Sequence, residues 1–438
     1  MNGVRMGAPA TDRFPPSIKF LAWNEAAERF SYYGMTSILT TYMAKNLAWA
    51  ENDAVFGYQL FTFAVYAMPI LGALLADRLW GRYHTILWLS FGYVAGHGTL
   101  ALWDSGPGLL AGLGLIAVGA GGIKPCASAF AGDQIPAGKD LLLARLYDLY
   151  YAMINVGSMF GTIVVPFLLD RVGPKVAFGV PGIAMAVALV IFWIGRRTYV
   201  YVPPAASLPP AAAVAEEPAL PVTLRILAVF APITAFWALY FQYGSAWVLQ
   251  ADKMDRTVLG LTFSPGQVTT LNAVLLLFFL WFFGAVVYPA LARRGVRVTP
   301  LRKMVAGMFV MVLSFAAAAA AQGTIVASAG GPPPHVAWQV PQYALAAIAE
   351  VLVSVTALEF AYAQAPARWK SLVMGLWYAT IAAGSLTTAL FARANRYDVQ
   401  EVAYYGFFTA LMLAAAVLFT LVARWYPERR ATATPAAA

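Results

Sequence analysis

The chain reads as an all-α membrane protein whose twelve transmembrane helices form two six-helix halves. Three observations predict this: an apolar composition, twelve separate apolar segments, and a strong bias of basic residues towards alternate loops. Of the 438 residues, 61% are hydrophobic and 11% are charged, whereas soluble domains carry about 25% charged residues. A water-soluble fold of this composition would lack the polar surface it needs, so the soluble class is excluded. The net charge of +9 would raise nucleic-acid binding in a soluble chain. In a membrane chain basic residues mark cytoplasmic loops, and no nucleic-acid partner is expected. The single cysteine, Cys126, excludes an internal disulfide. The polar stretch from Met1 to Lys19 lacks the apolar core of a cleaved signal.

A helix rises about 1.5 Å per residue, so crossing roughly 30 Å of hydrocarbon takes about 20 apolar residues. Six such segments centre near Gly34, Met68, Tyr93, Gly119, Gly157 and Val187. Six more centre near Ala238, Phe278, Val312, Val351, Ile381 and Met412. With both termini in the cytoplasm, twenty of the 29 Lys and Arg residues fall on inner segments and seven on outer ones. The remaining two, Arg29 and Lys124, fall inside spans. The asymmetry follows the positive-inside rule and requires an even number of spans. It predicts a multi-pass cell-membrane protein.

Residues 1–195 form the N-terminal half and residues 223–438 the C-terminal half. Between them, residues 196–222 are rich in Pro and Ala and read as a cytoplasmic linker. Two six-helix halves around a central cavity is the major facilitator layout, with substrate held near the midplane. The stretch "GALLADRLWGR" (72–82) resembles the facilitator-superfamily motif between spans two and three. Its Asp77, Arg78 and Arg82 would close the inner face by charge pairing and helix-end contacts. Ordinary loop charges are the alternative.

Ionisable residues at bilayer depth are costly and normally face a bundle interior or a wet cavity. Five lie well inside predicted spans: Glu25, Glu28, Arg29, Lys124 and Glu350. Glu359 is a sixth, nearer a span end. In "AWNEAAERFSYYGMTSI" the spacing puts Glu25, Glu28, Arg29, Tyr32 and Tyr33 on one helical face. Two carboxylates beside one guanidinium repel each other and compete for it. An anion bound at Arg29 would weaken that hold and let a carboxylate take up a proton. A self-neutralising structural ion pair is the alternative.

In span four, "GAGGIKPCASAF" combines close-packing glycines with Pro125, which frees backbone carbonyls, and with Lys124 as a point cation. A snorkelling lysine is the bland reading. Asn155 in span five and Asn272 in span eight are polar intruders that could equally serve as interhelical glue. Together these residues describe cations in one half and a carboxylate, Glu350, in the other. That polarity suits a zwitterion. His97, mid-span in "GYVAGHGTL", reads as a packed, hydrogen-bonded histidine rather than a proton carrier.

Four stretches resemble signatures of the proton-dependent oligopeptide transporter family: "EAAERFSYYG", "GAGGIKPCASAFAGDQ", "YYAMINVGS" and "TALEFAYAQAP". The resemblance spans nearly the whole chain. It implies proton-coupled symport of di- and tripeptides by alternating access, with protons as the coupling ion, no other cofactor and a monomeric functional unit. Glu25, Glu28, Arg29 and Lys124 would couple protons, and Arg29 and Lys124 would hold the peptide carboxylate. Tyr32, Tyr33 and Tyr66 would line the pocket, and Asn155 and Asn272 would bind the peptide backbone or amine. Glu350 would pair with the amino terminus. Trp237 and Trp377 would form side-chain pockets or simply pack.

Two departures stand out. The family pattern carries an acidic residue where this chain has Phe241 and an arginine where it has Thr36. Losing both members of a charge pair leaves no buried orphan, so the outer gate is expected to close by apolar contact. Other readings are a same-fold transporter of nitrate, an amino-acid conjugate or a drug, and a non-transporting peptide sensor. No HExxH or GxSxG triad arrangement and no metal cluster supports an enzyme.

Overall fold

The computed structural model describes residues 13–136, 138–204, 219–296, 298–357, 360 and 370–426. Ten helical stretches among them are long and apolar enough to cross a membrane. The first, Glu51–Leu102, contains two helices, Glu51–Leu75 (span 2) and Gly81–Leu102 (span 3). They meet at Gly81, whose φ of +71° lies where a side chain would be strained. Span 1, Ser17–Thr41, falls outside the ten because Glu25, Glu28 and Arg29 make it too charged. The described helices therefore give twelve spans. The helix that apolarity alone overlooks is the one carrying most of the intramembrane charge.

Spans 4 to 6 are Gly106–Gly132, Asp140–Arg171 and Pro174–Ile194. Spans 7 to 9 are Leu224–Asp252, Pro265–Arg293 and Pro300–Ala327, and spans 10 to 12 are Val336–Val355, Gly375–Arg393 and Val402–Trp425. Two buried apolar clusters form, one from each half, and Val55 of span 2 joins the cluster of the second. In a bilayer, helices associate through close packing and interhelical hydrogen bonds rather than by escaping water, so small residues mark the tight crossings. Span 5 lies along span 1 in this way. A Cβ on Gly157 would meet the Arg29 Cβ at 3.0 Å, and one on Gly161 would meet the Phe30 carbonyl at 2.6 Å. These glycines bring span 5 against the charged face of span 1.

Two irregular turns sit where polar groups face inward. Span 7 is broken by a tight turn at Phe241–Gly244, between helices Ala219–Tyr240 and Ala246–Asp252. Span 10 passes from α-helix at Glu350 into a wider π-type turn, Val351–Val355. Such turns free backbone groups and recur at functional sites.

The two halves are joined by hydrogen bonds and ion pairs at the face opposite the termini. Lys45 pairs with Asp252 at 2.6 Å, Glu51 with Lys253 at 3.0 Å and Asp53 with Arg393 at 3.0 Å. Asn52 accepts from the backbone N–H of Val399 at 3.0 Å and donates to the Tyr397 carbonyl at 3.1 Å. Gln400 donates to Glu51 at 2.5 Å, Thr40 to the Gly244 carbonyl at 2.8 Å and Gln59 to Ser245 at 3.0 Å. This corrects the expectation of an apolar outer gate. Phe241 does pack on Tyr66 of the other half, at 5.2 Å between ring centres. The charges that close this face lie farther out, at the span ends, where water can solvate them and their desolvation costs little.

At the opposite face, Arg82 donates to Asp133 at 2.6 Å, tying the start of span 3 to the end of span 4. Asp77 is half-buried and Arg78 is exposed. Gln134 accepts from the Val200 N–H at 2.8 Å and donates to its carbonyl at 3.1 Å. The first residues after span 6 are thus pinned to span 4.

Candidate functional site

The site begins with one cation serving two carboxylates. Glu25 and Glu28 are 3% and 4% exposed. Arg29 Nε donates to Glu25 Oε1 at 2.7 Å and lies 3.2 Å from Glu28 Oε2. Nε carries a single hydrogen, and it is spent on Glu25. Both oxygens of Glu28 are buried with no hydrogen bond of good geometry, so the 3.2 Å ion pair to Arg29 is its main compensation. A buried carboxylate held by so little is the one of the two that gains more from a further donor or a proton.

Lys124 comes from span 4. Among the described residues no carboxylate stands within ion-pair distance of it. Its Nζ sits 4.0 Å from the centre of the Tyr32 ring and 5.0 Å from that of Tyr66. Two aromatic faces hold the ammonium in place by cation–π attraction, leaving its N–H donors unspent on any anion.

Across the bundle, Tyr240 at the break in span 7 donates its hydroxyl to Glu350 Oε2 at 2.7 Å. The same hydroxyl accepts from Asn272 Nδ2 at 3.0 Å. Asn272 Oδ1 is buried and unpaired. Asn155 Nδ2 donates back to the Tyr151 carbonyl, one turn earlier, at 2.8 Å.

These groups line two adjoining chambers. One, of about 340 Å³, is lined by Glu25, Arg29, Lys124, Tyr66 and Tyr378 among others. The second, of about 210 Å³, is lined by Glu350, Asn155, Asn272 and Tyr240 among others. Tyr33, Tyr151 and Ile154 line both and form the wall between them. The cations and Glu350 thus face adjacent spaces rather than one open vestibule, because two phenol rings and an isoleucine fill the middle.

The remaining expected residues lie elsewhere. Tyr32 is buried with Lys124 over its ring, and Glu28 is buried and does not line the chamber. Trp237 and Trp377 pack edge to face at 5.7 Å within the C-terminal core and line neither chamber. Glu359 and most of "TALEFAYAQAP" lie outside the described residues. His97 is buried, its Nε2 2.8 Å from the Ser31 hydroxyl and its ring stacked on Tyr93. Thr36 lines the second chamber and donates to the Tyr33 carbonyl at 3.2 Å.

The sequence reading passed over Tyr240, Tyr151 and Tyr378. The usable signal was present: a phenol in an apolar span needs a partner for its hydroxyl, and "FWALYFQYG" places two beside a helix break.

The sequence model of the POT family matches residues 83–215 and 220–402. The chain belongs to the POT family. This POT chain is 37% identical to "Peptide transporter family 1" of Drosophila melanogaster over 349 residues, 69% of this chain and 47% of that protein. It is 36% identical to "Solute carrier family 15 member 2" of Mus musculus over 356 residues, 70% of this chain and 48% of that protein. It thus spans about half the length of these relatives. A crystal structure of an auto-inhibited POT family peptide transporter superposes with a TM-score of 0.87 at 33% identity, covering 95% of this chain and 98% of the other. The POT family transporter PepTSo gives 0.86 at 32% identity, covering 94% and 99%. The twelve-span, two-half architecture is therefore the POT fold of the major facilitator type, and the protein is a multi-pass membrane protein.

Proposed function

We propose that this POT protein is a proton-coupled symporter of di- and tripeptides, with both termini cytoplasmic and one chain as the functional unit. The observation that carries this reading is the charge layout. Two cations, Arg29 and Lys124, line one chamber, and one carboxylate, Glu350, lines the next. A dipolar cargo bridging the wall would meet each of its ends with the opposite sign. An inorganic anion would use the cations alone and leave Glu350 without a role, which disfavours nitrate-like cargo.

Coupling follows from donor supply. A peptide carboxylate at Arg29 draws the guanidinium away from Glu25 and Glu28. Glu28, already short of a donor, then gains most from a proton. Proton binding at Glu28 likewise frees Arg29 for the cargo, so each ligand tightens the other reciprocally. With the outer face latched, the state described is closed to the outside. Rocking of the halves about the midplane chambers would alternate access.

The test is uptake of labelled dialanine into liposomes under an imposed inward proton gradient. Glu28→Gln and Lys124→Gln should each reduce gradient-driven accumulation to background. Glu28→Gln should retain counter-exchange, which needs binding but no net proton movement. Full accumulation by both variants would refute the assigned roles.

A further inference from the structure

One large cavity belongs to neither chamber. It has a volume of about 710 Å³ and lies on the outer half of the bundle, over span 2 and beside span 4. Its floor and walls are apolar: Phe56 and Leu60 of span 2, and Leu109, Leu110 and Leu113 of span 4. Leu110 is 58% exposed at its lip, so the groove opens sideways, towards lipid. Gly114 lines it, and a Cβ built there meets nothing within 4 Å. The polar lining collects at the span ends, where Trp49, Asp53 and Arg393 stand. Trp at that depth is typical of the headgroup boundary.

We propose that this groove is a binding site for an anionic phospholipid of the outer leaflet, with an acyl chain in the groove and the headgroup phosphate on Arg393. The charge argument is specific. Arg393 is half of one cross-half ion pair, 3.0 Å from Asp53, with side-chain exposures of 65% and 46%. Its guanidinium also lies 5.6 Å from the Phe56 ring, at the groove itself. A planar fork of donors suits phosphate, which it can engage at two oxygens. One nitrogen reaches Asp53 and the rest of the fork remains open to solvent. A phosphate arriving from the groove competes with Asp53 for the same guanidinium. Lipid occupancy therefore weakens one of the ion pairs that join the halves at the outer face and favours opening towards the outside. By linkage, opening favours lipid binding to the same extent.

The experiment measures lipid retained by the purified full chain, independently of transport. Protein reconstituted in phosphatidylcholine with a minor fraction of phosphatidylglycerol is extracted, and bound lipid is counted by native mass spectrometry. Wild type should retain phosphatidylglycerol several-fold over phosphatidylcholine. Gly114→Leu fills the groove and should lose both lipids; Leu110→Trp, a second blocking variant at the lip, should behave alike. Arg393→Gln should keep a tail in the groove but lose the preference for the anionic head. Spin labels across the outer face should report more open protein with phosphatidylglycerol in wild type and no lipid response in Arg393→Gln. Equal retention by wild type and both blocking variants would overturn the site. Preferential retention of a free fatty acid or detergent over phospholipid would overturn the choice of ligand.

Discussion

The outer latch permits a quantitative prediction. Among the described residues three ion pairs bridge the halves, and each has at least one partner with an exposed side chain: 52% and 20% for Lys45–Asp252, 43% and 28% for Lys253–Glu51, and 65% and 46% for Arg393–Asp53. Exposed pairs contribute about 0.2–1 kcal/mol each. The first two belong at the low end, because Asp252 also faces Arg256 at 3.5 Å and Glu51 also accepts from Gln400. Each carboxylate thus keeps a donor when its cross-half lysine is lost. Neutralising the basic partner of every pair, as in Lys45→Gln with Lys253→Gln and Arg393→Gln, should destabilise the outward-closed state by about 2 kcal/mol at most. That is a shift of up to about 30-fold in the ratio of closed to open forms. The assay is a distance distribution between spin labels placed beyond spans 1 and 11. The buried native Cys126 limits background labelling. The triple variant should populate the longer distance at low ionic strength. Wild type should move part of the way towards it in high salt, because salt screens exposed pairs. Reversing one pair, Arg393→Asp with Asp53→Arg, should recover most of the closed population lost by Arg393→Asp alone. Unchanged distances in the triple variant at every ionic strength would show that apolar packing, including Phe241 on Tyr66, holds this face shut after all.

Tyr240→Phe removes the hydroxyl that links Asn272 to Glu350. It should lower stability in detergent by about 1.5–3 kcal/mol, the range for a hydrogen bond to a charged group, as measured by denaturant titration. His97→Gln breaks the bond to Ser31 and should cost about 1 kcal/mol in the same titration, while the pH profile of dialanine uptake stays where it is; a displaced profile would make His97 part of the proton path. Gly161→Leu pushes side-chain atoms into the Phe30 carbonyl and Gly34. Overpacking of about 3 kcal/mol or more should appear as loss of the monodisperse peak in size-exclusion chromatography, whereas Gly114→Ala, facing open space, should elute as wild type.

What the sequence made legible, and what it did not, divides along one physical line. Charges in oil are rare and costly, so Glu25, Glu28, Arg29, Lys124 and Glu350 stood out from composition alone, and periodicity correctly placed the first three on one face. Their partners were harder to see. Whether Arg29 gives its Nε–H to Glu25 or Glu28 depends on a rotamer; it goes to Glu25, and Glu28 keeps the longer ion pair. Lys124 rests on the faces of Tyr32 and Tyr66, partners that a search for charge does not find, because an aromatic ring carries no formal charge to count. Tyrosine is ambiguous in an apolar helix for the same reason: its ring satisfies the core while its hydroxyl is free to organise a site, as Tyr240 does.

The outer gate was misread from the same bias towards buried charge. Thr36 and Phe241 stand where the family resemblance implies an outer-gate charge pair, and a pair inside the bundle must overcome desolvation. The pairs that remain lie at the span ends, where loop charges look unremarkable in a sequence and only the fold brings Lys45 opposite Asp252, or Asp53 opposite Arg393. Moving the ion pairs outward also changes what can act on them. A latch within the bundle would answer mainly to the proton and the cargo, whereas one at the headgroup boundary is open to salt and, on the lipid proposal, to anionic lipid as well. Under the two proposals made above, the chain would separate two controls: Glu28 and Arg29 would tie the central chambers to the proton, and Arg393 would tie the outer closure to the bilayer.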